Sequence, residues 1–213
     1  MYVHKLMIPI SLSCLVACTN LQKPVEMPLT PQNTITSTKE PRTADKTSAS
    51  SEHGRASNIS SWDLSGAIAA RNKTKSWTAS IDWQQQGPSR YQIRLLGPLG
   101  SGTVIVEKQG GVVTFRDGPK RIASSDADKL IFTQTGVRLP VSSLYYWVRG
   151  IPAPGQVDSE KHATGGALLE LHQSGYIVTY SQYTLVNNVP LPTKIRLEGR
   201  GVMIKLVIKH WKI

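Results

Sequence analysis

Two cysteines are all that the 213 residues contain, and both, Cys14 and Cys18, lie within the first eighteen positions. The rest of the chain therefore has neither a disulfide nor a thiolate metal site, which sets aside redox chemistry and cysteine-based zinc modules. Beyond the leader, histidines at 53, 162, 172 and 210 are scattered without metal-ligand spacing. No GxSxG elbow occurs, no lysine stands at P-loop spacing, and no GxGxxG opens a helix, so nucleophilic hydrolysis and phosphate cradling lack their signatures. Acidic residues are scarce, 14 against 25 Lys and Arg, giving a formal net charge of +11 and a pI near 9.8. That excess favours a polyanionic partner, whether nucleic acid, anionic lipid or an acidic protein, and the sign alone does not choose among them. Apart from one stretch near the N-terminus there is no long apolar run.

That stretch, Leu6 to Ala17 in MYVHKLMIPISLSCLVACTN, follows the single early cation Lys5 and is too short for a spanning helix. It reads as an export signal over residues 1–17. Leu15-Val16-Ala17-Cys18 resembles the bacterial lipobox, which implies cleavage before Cys18 and acylation of its thiol and new amino group. One acyl chain holds a protein only marginally, whereas three add up, at roughly 0.8 kcal/mol per buried methylene. Thr19 is not the aspartate associated with inner-membrane retention, so the expected address is the outer membrane, anchored at its periplasmic face.

Residues 18–57 are rich in Thr, Ser and Pro and carry no aromatic residue. Such a composition buries too little surface to offset the entropy of ordering it, and reads as a tether. All five tryptophans, at 62, 77, 83, 147 and 211, follow it and mark one domain over 58–213.

Period-2 alternation dominates that domain. Trp77, Ala79, Ile81 and Trp83 alternate with Ser76, Thr78, Ser80 and Asp82, as in a half-buried antiparallel strand. Tyr91, Ile93 and Leu95 alternate with Arg90, Gln92 and Arg94, and Val202 to Lys209 repeats the pattern. Further strands are predicted over 62–71, 103–108, 112–116, 120–123, 167–173, 176–184 and 194–199, punctuated by Gly-Pro, Gly-Gly, Asp-Gly and Asn-Asn turns. The sum is a meander of about ten strands, curled or closed. Two short helices interrupt it: Ser125 with Asp128 forms a predicted capping box for one, ended at Gly136, and Pro140 opens another whose Leu144, Trp147 and Val148 share a face. Their apolar faces pack on the sheet or cap a cavity on its concave side. Arg138 and Arg149, interleaved with Tyr145 and Tyr146, have the composition of a nucleic-acid surface, but an exported protein meets lipid and polysaccharide instead, so no nucleic acid is expected.

Taken in order, W-D-L-S-G at 62–66, I-D-W-Q at 81–84, G-P-L-G at 97–100, L-P-V-S-S-L-Y-Y-W-V-R-G at 139–150 and I-K-H-W at 208–211 make the chain resemble the LolB family of outer-membrane lipoprotein receptors. The resemblance runs from Trp62 to Ile213. It implies a mainly β fold, a single curved antiparallel sheet forming an incomplete barrel over short α-helices with an apolar cavity. It further implies a monomer that takes acylated client lipoproteins from the periplasmic carrier LolA and passes them to the inner leaflet of the outer membrane, with no enzymatic activity and no cofactor. The expected cavity lining is Trp77, Trp83, Ile93, Leu95, Val104, Val106, Phe115, Ile131, Leu144, Trp147 and Tyr180. Leu99, held between Pro98 and Gly100 on a turn where small polar residues are usual, is expected either to project as a membrane-insertion loop or to fold back as a plug of its own turn. The alternative from another class is a structural or assembly lipoprotein of the outer membrane that docks a partner protein at its sheet edge and binds no lipid.

Overall fold

The computed structural model describes residues 54–213. The leader, Cys18 and nearly all of the expected tether lie outside the described residues. Residues 54–57, at the tether's end, form a helical turn whose Ala56 is buried.

Eleven strands make one antiparallel sheet: β1 (Ser61–Arg71), β2 (Ser76–Gln86), β3 (Arg90–Leu96), β4 (Thr103–Gln109), β5 (Val112–Asp117), β6 (Lys120–Ser124), β7 (Val157–His162), β8 (Leu168–Gln173), β9 (Tyr176–Val186), β10 (Val189–Gly199) and β11 (Val202–Lys212). Their order is β6-β5-β4-β3-β2-β1-β11-β10-β9-β8-β7. Two meanders are thus joined at the centre by the first and last strands, and β6 and β7 remain as free edges. The sheet is not closed. Between those edges the chain forms helix α1 (Ala127–Thr135) and helix α2 (Val141–Trp147).

Alternation decides which face is apolar. Leu64, Ile68 and Ala70 of β1, Ile81 and Trp83 of β2, and Ile204, Leu206 and Ile208 of β11 are buried on one face, while their neighbours point to the other. The helices fill that face: Leu130 and Ile131 of α1 and Val141, Leu144 and Trp147 of α2 join one continuous core with the strands. Aromatic rings pin the central seam, Trp62 lying 5.0 Å from Trp83 and 5.4 Å from Trp211 between centroids. The Trp211 indole N–H donates to the Pro192 carbonyl at 2.9 Å, tying β11 to β10.

The seam explains one glycine. Pairing of β1 with β11 slips between Ser65 and Gly66, leaving Lys209 as the extra residue of a bulge. A Cβ at Gly66 would stand 2.0 Å from the Val207 carbonyl oxygen. Gly66→Ala is therefore expected to lower stability by about 1–3 kcal/mol, as overpacking against rigid backbone does, read as a lower urea midpoint; an unchanged midpoint would show that the seam can spread.

Three details depart from the sequence expectation. β7, with the sequence VDSEKH, was not predicted because both of its faces are polar, as suits an edge strand. β10 begins at Val189 rather than 194: Pro190 and Pro192 argue against strand, yet they lie in a stretch that pairs with β9 alone, the ladder to β11 starting only at Lys194, so that it is an edge where proline is tolerated. The helix cap is Asp126, not Ser125. β6 runs on through Ser124, so α1 starts one residue later, and the Asp126 carboxylate accepts the Lys129 backbone N–H at 2.9 Å. Asp128 instead bridges the helices, accepting from the Val141 N–H at 3.0 Å and the Ser142 hydroxyl at 3.1 Å. Burial raises its carboxyl above the ordinary 3.8. Gly136 closes α1 in the left-handed conformation, φ 71°, as expected.

Candidate lipid-binding face and rim

The predicted lining residues fall on one face. Trp83, Ile93, Val106, Phe115, Ile131, Leu144, Trp147 and Tyr180 are buried together in the core, and Trp77, Leu95 and Val104 are half-buried at its margin. They come from five of the eleven strands, β2, β3, β4, β5 and β9, and from both helices. In this structure the helices occupy the concavity. Its opening lies at one end, where a cavity of about 300 Å³ is lined by Trp77, Ala79, Leu95, Val104 and Thr135.

The loop from β3 to β4 stands over that mouth. Gly97 N–H bonds Gly102 O at 2.9 Å and Ser101 N–H bonds Pro98 O at 3.1 Å, closing a tight 3₁₀ turn over Pro98–Gly100. Leu99 sits at its tip in the left-handed region, φ 54° and ψ 25°, a conformation that disfavours a branched aliphatic residue. Its exposure is 108%, so the side chain does not fold back onto its turn.

Two buried amides organise the interior, and the sequence reading passed over both. Gln173, fully buried, accepts from the Trp147 indole N–H and from Ala153 N–H, each at 2.9 Å, and donates to Ala153 O at 2.7 Å. Gln85 accepts from the Trp83 indole at 2.9 Å and donates to Gly87 O at 2.6 Å. The available signal was parity: Gln85 continues the inward series 77, 79, 81, 83, so a polar residue there has to be satisfied internally.

The basic and aromatic residues around α2 do not form a single exposed surface. Arg149 is buried, its Nε donates to Tyr145 O at 3.0 Å, and its Nη1 donates to the carbonyls of Ala56 and Ile59. The guanidinium stacks 4.3 Å from the Tyr145 ring centroid, and desolvation holds it below its ordinary pKa. It clamps the entering chain to the end of α2. Arg138, by contrast, lies over the Phe132 ring at 4.9 Å.

An open antiparallel sheet whose apolar face wraps helices defines the fold as a half-barrel. The same architecture occurs in a LolA superfamily protein from Nitrosomonas europaea, with a TM-score of 0.51 and 11% identity over 78% of this chain and 93% of that one, a likeness of fold. The family model described as "Outer membrane lipoprotein LolB" matches residues 60–211. Proteins named outer-membrane lipoprotein LolB from Coxiella burnetii and Nitrosococcus oceani are each 38% identical to this chain, over 157 and 158 residues, covering 73% of it and 74% and 78% of their own lengths. The chain belongs to the LolB family.

Proposed function

We propose that the protein is the outer-membrane receptor of the lipoprotein sorting pathway, which accepts the acyl chains of a client lipoprotein from the periplasmic carrier LolA and releases them into the bilayer. The observation that carries this reading is the pairing of a concave apolar face, open at one end, with a leucine held out beside that opening. Acyl chains are prohibitive to expose in water at roughly 0.8 kcal/mol per methylene, so they pass between apolar shelters in contact. Direction then follows from small differences. A receptor that holds the chains about 1.4 kcal/mol better than the carrier is favoured tenfold, and the bilayer must be better still.

The receiving surface is the face built by the eleven lining residues, entered at Trp77, Leu95 and Val104. Because the helices fill the concavity, uptake requires α1 and α2 to give way. Apart from the Trp147–Gln173 hydrogen bond, which would have to open, their buried side chains meet the sheet through apolar contact, and the free edges β6 and β7 leave the sheet able to spread. Cys18 supplies the lipid anchor, the residues between it and the turn at 54–57 the reach, and the domain acts as a monomer at the periplasmic face. Docking of a partner without lipid is the weaker reading, since the LolB family match runs over residues 60–211, nearly the whole folded domain, and so takes in both the concave face and the Leu99 turn.

The test is displacement of a fluorescent fatty acid from the domain by a triacylated lipoprotein. Leu144→Trp or Phe115→Trp, which overfill the space under the helices, should lower probe affinity about tenfold while the variants stay folded. A domain that takes up neither probe nor lipoprotein would overturn the proposal.

A further inference from the structure

The Leu99 turn borders two hollows. One is the mouth of the concave face; the other lies on the opposite, outer face of the sheet. There Ala67 pairs with Ser80 and Val207, and Ala69 pairs with Thr78 and Lys205, so the centre of the sheet is floored by short side chains. Leu96, Pro98 and Leu99 wall this floor at one end, enclosing a groove of about 520 Å³. Across Ala69, Thr78 and Lys205 it runs on into a second hollow of about 450 Å³ edged by Arg71, Arg196, Met203 and Lys205. One end of the trough is apolar, with Leu96 and Val207 exposed by 42% and 39% next to the fully exposed Leu99. The other end is cationic. Arg196 is bonded to Glu198 on the same strand, whereas neither Lys205 nor Arg71 has an ion-pair partner among the described residues.

A solvated sheet face ordinarily carries long polar side chains over its centre. Here the centre is recessed, and along the strands its rim passes from the row of Leu96, Ser80, Ala67 and Val207, flanked on β10 by Lys194, to the basic row of Lys205 and Arg196 and on to Arg71. That gradient matches a bilayer boundary, where hydrocarbon gives way to phosphate over a short depth, and it does not match a protein partner of uniform polarity. We propose that this outer groove is a phospholipid-headgroup site: Leu96, Leu99 and Val207 enter the acyl boundary while Lys205 and Arg71 meet lipid phosphate. The domain is thereby set with its cargo mouth against the membrane. The inference rests on the receptor reading only in needing a bilayer beside Leu99; its binding chemistry is separate from acyl uptake.

The test uses the chain from residue 18 with Cys18→Ala, which keeps the whole described fold and removes the acylated thiol, in co-sedimentation with phosphatidylcholine vesicles with and without phosphatidylglycerol. The parent should bind the phosphatidylglycerol vesicles more tightly, and 0.5 M salt, which shortens the screening length to a few ångströms, should abolish the difference. Lys205→Gln should cost about fivefold on the anionic vesicles and Lys205→Gln with Arg71→Gln about thirtyfold, at one kcal/mol per surface cation, with binding to phosphatidylcholine unchanged. Lys205→Arg should retain the preference, excluding a fold defect. Inorganic phosphate at matched concentration should not compete, since the site needs the surrounding bilayer. A double variant that keeps the parent's preference, or a parent with none, would overturn the inference. Fatty-acid uptake without vesicles should be the same in all these variants; its absence from the parent would sink the receptor reading alone.

Discussion

On the proposed function, replacing Leu99 by glutamate is expected to leave transfer of a lipoprotein from carrier to receptor at the parent level and to block its release into membranes. The side chain touches nothing within the fold, being 108% exposed at the tip of its turn, so the variant loses no packing. It also leaves the lining of the concave face untouched. What it loses is the transfer of a leucine into hydrocarbon, worth about 1.5–3 kcal/mol, which amounts to roughly tenfold to a hundredfold in occupancy of the membrane-engaged state. A carboxylate pushed at the same interface adds a desolvation cost on top. The measurement is a two-stage assay: capture of labelled lipoprotein from the carrier, then its appearance in vesicles. Normal incorporation by Leu99→Glu would end the case for this turn as the insertion element. Leu99→Ile is the informative companion. It keeps the hydrophobicity but adds β-branching at φ 54°, so delivery should survive while the turn loosens.

Gln173→Leu is expected to be the most damaging substitution for stability, at about 3–5 kcal/mol. The amide is fully buried and satisfies three groups at once: the Trp147 indole N–H, the Ala153 N–H and the Ala153 carbonyl. Leucine fits the volume but strands all three, and each buried unpaired group costs about 1–3 kcal/mol, partly relieved by relaxation. The loss should appear as a urea midpoint lowered by about 2 M. Because Trp147 anchors α2 to β8, quenching of tryptophan fluorescence should shift before the global transition if the helix detaches first. A midpoint within experimental error of the parent's would mean that the 150–154 segment rearranges to pair these groups elsewhere. A helix that loosens without global unfolding would bear directly on how acyl chains gain the space under it.

Much of the fold could be read from alternation alone. Trp77, Ala79, Ile81 and Trp83 sit on the inner face because a strand of period two has no other way to bury them, and the same holds for Ile204, Leu206 and Ile208. Where the signal failed, the physics competed with it. β7 is polar on both faces because an edge strand has little to bury. Pro190 and Pro192 look like strand breakers until the fold leaves their stretch of β10 paired with β9 alone, β11 joining only from Lys194. Asp126 and Ser125 are equally good caps in sequence, and only the end of β6 chose between them. Arg149 resembles a surface cation because its partners, the carbonyls of Ala56 and Ile59, lie about ninety residues away.

Local chemistry, written residue by residue, determined the change of composition near residue 58, most of the strands, the two helices and the placing of a leucine between proline and glycine. These follow from short-range forces: backbone preference, period and solvation. Tertiary structure alone decided that β1 and β11 would close the centre while β6 and β7 stayed open, that the helices would fill the concavity, and that small residues from β1 and β2 would meet cations from β10 and β11 on the outer face. Those outcomes depend on contacts between segments distant in sequence, β1 and β11 by more than a hundred residues and Trp147 and Gln173 by 26, whose pairing is set by the burial of a whole face at once and by no single stretch of chain.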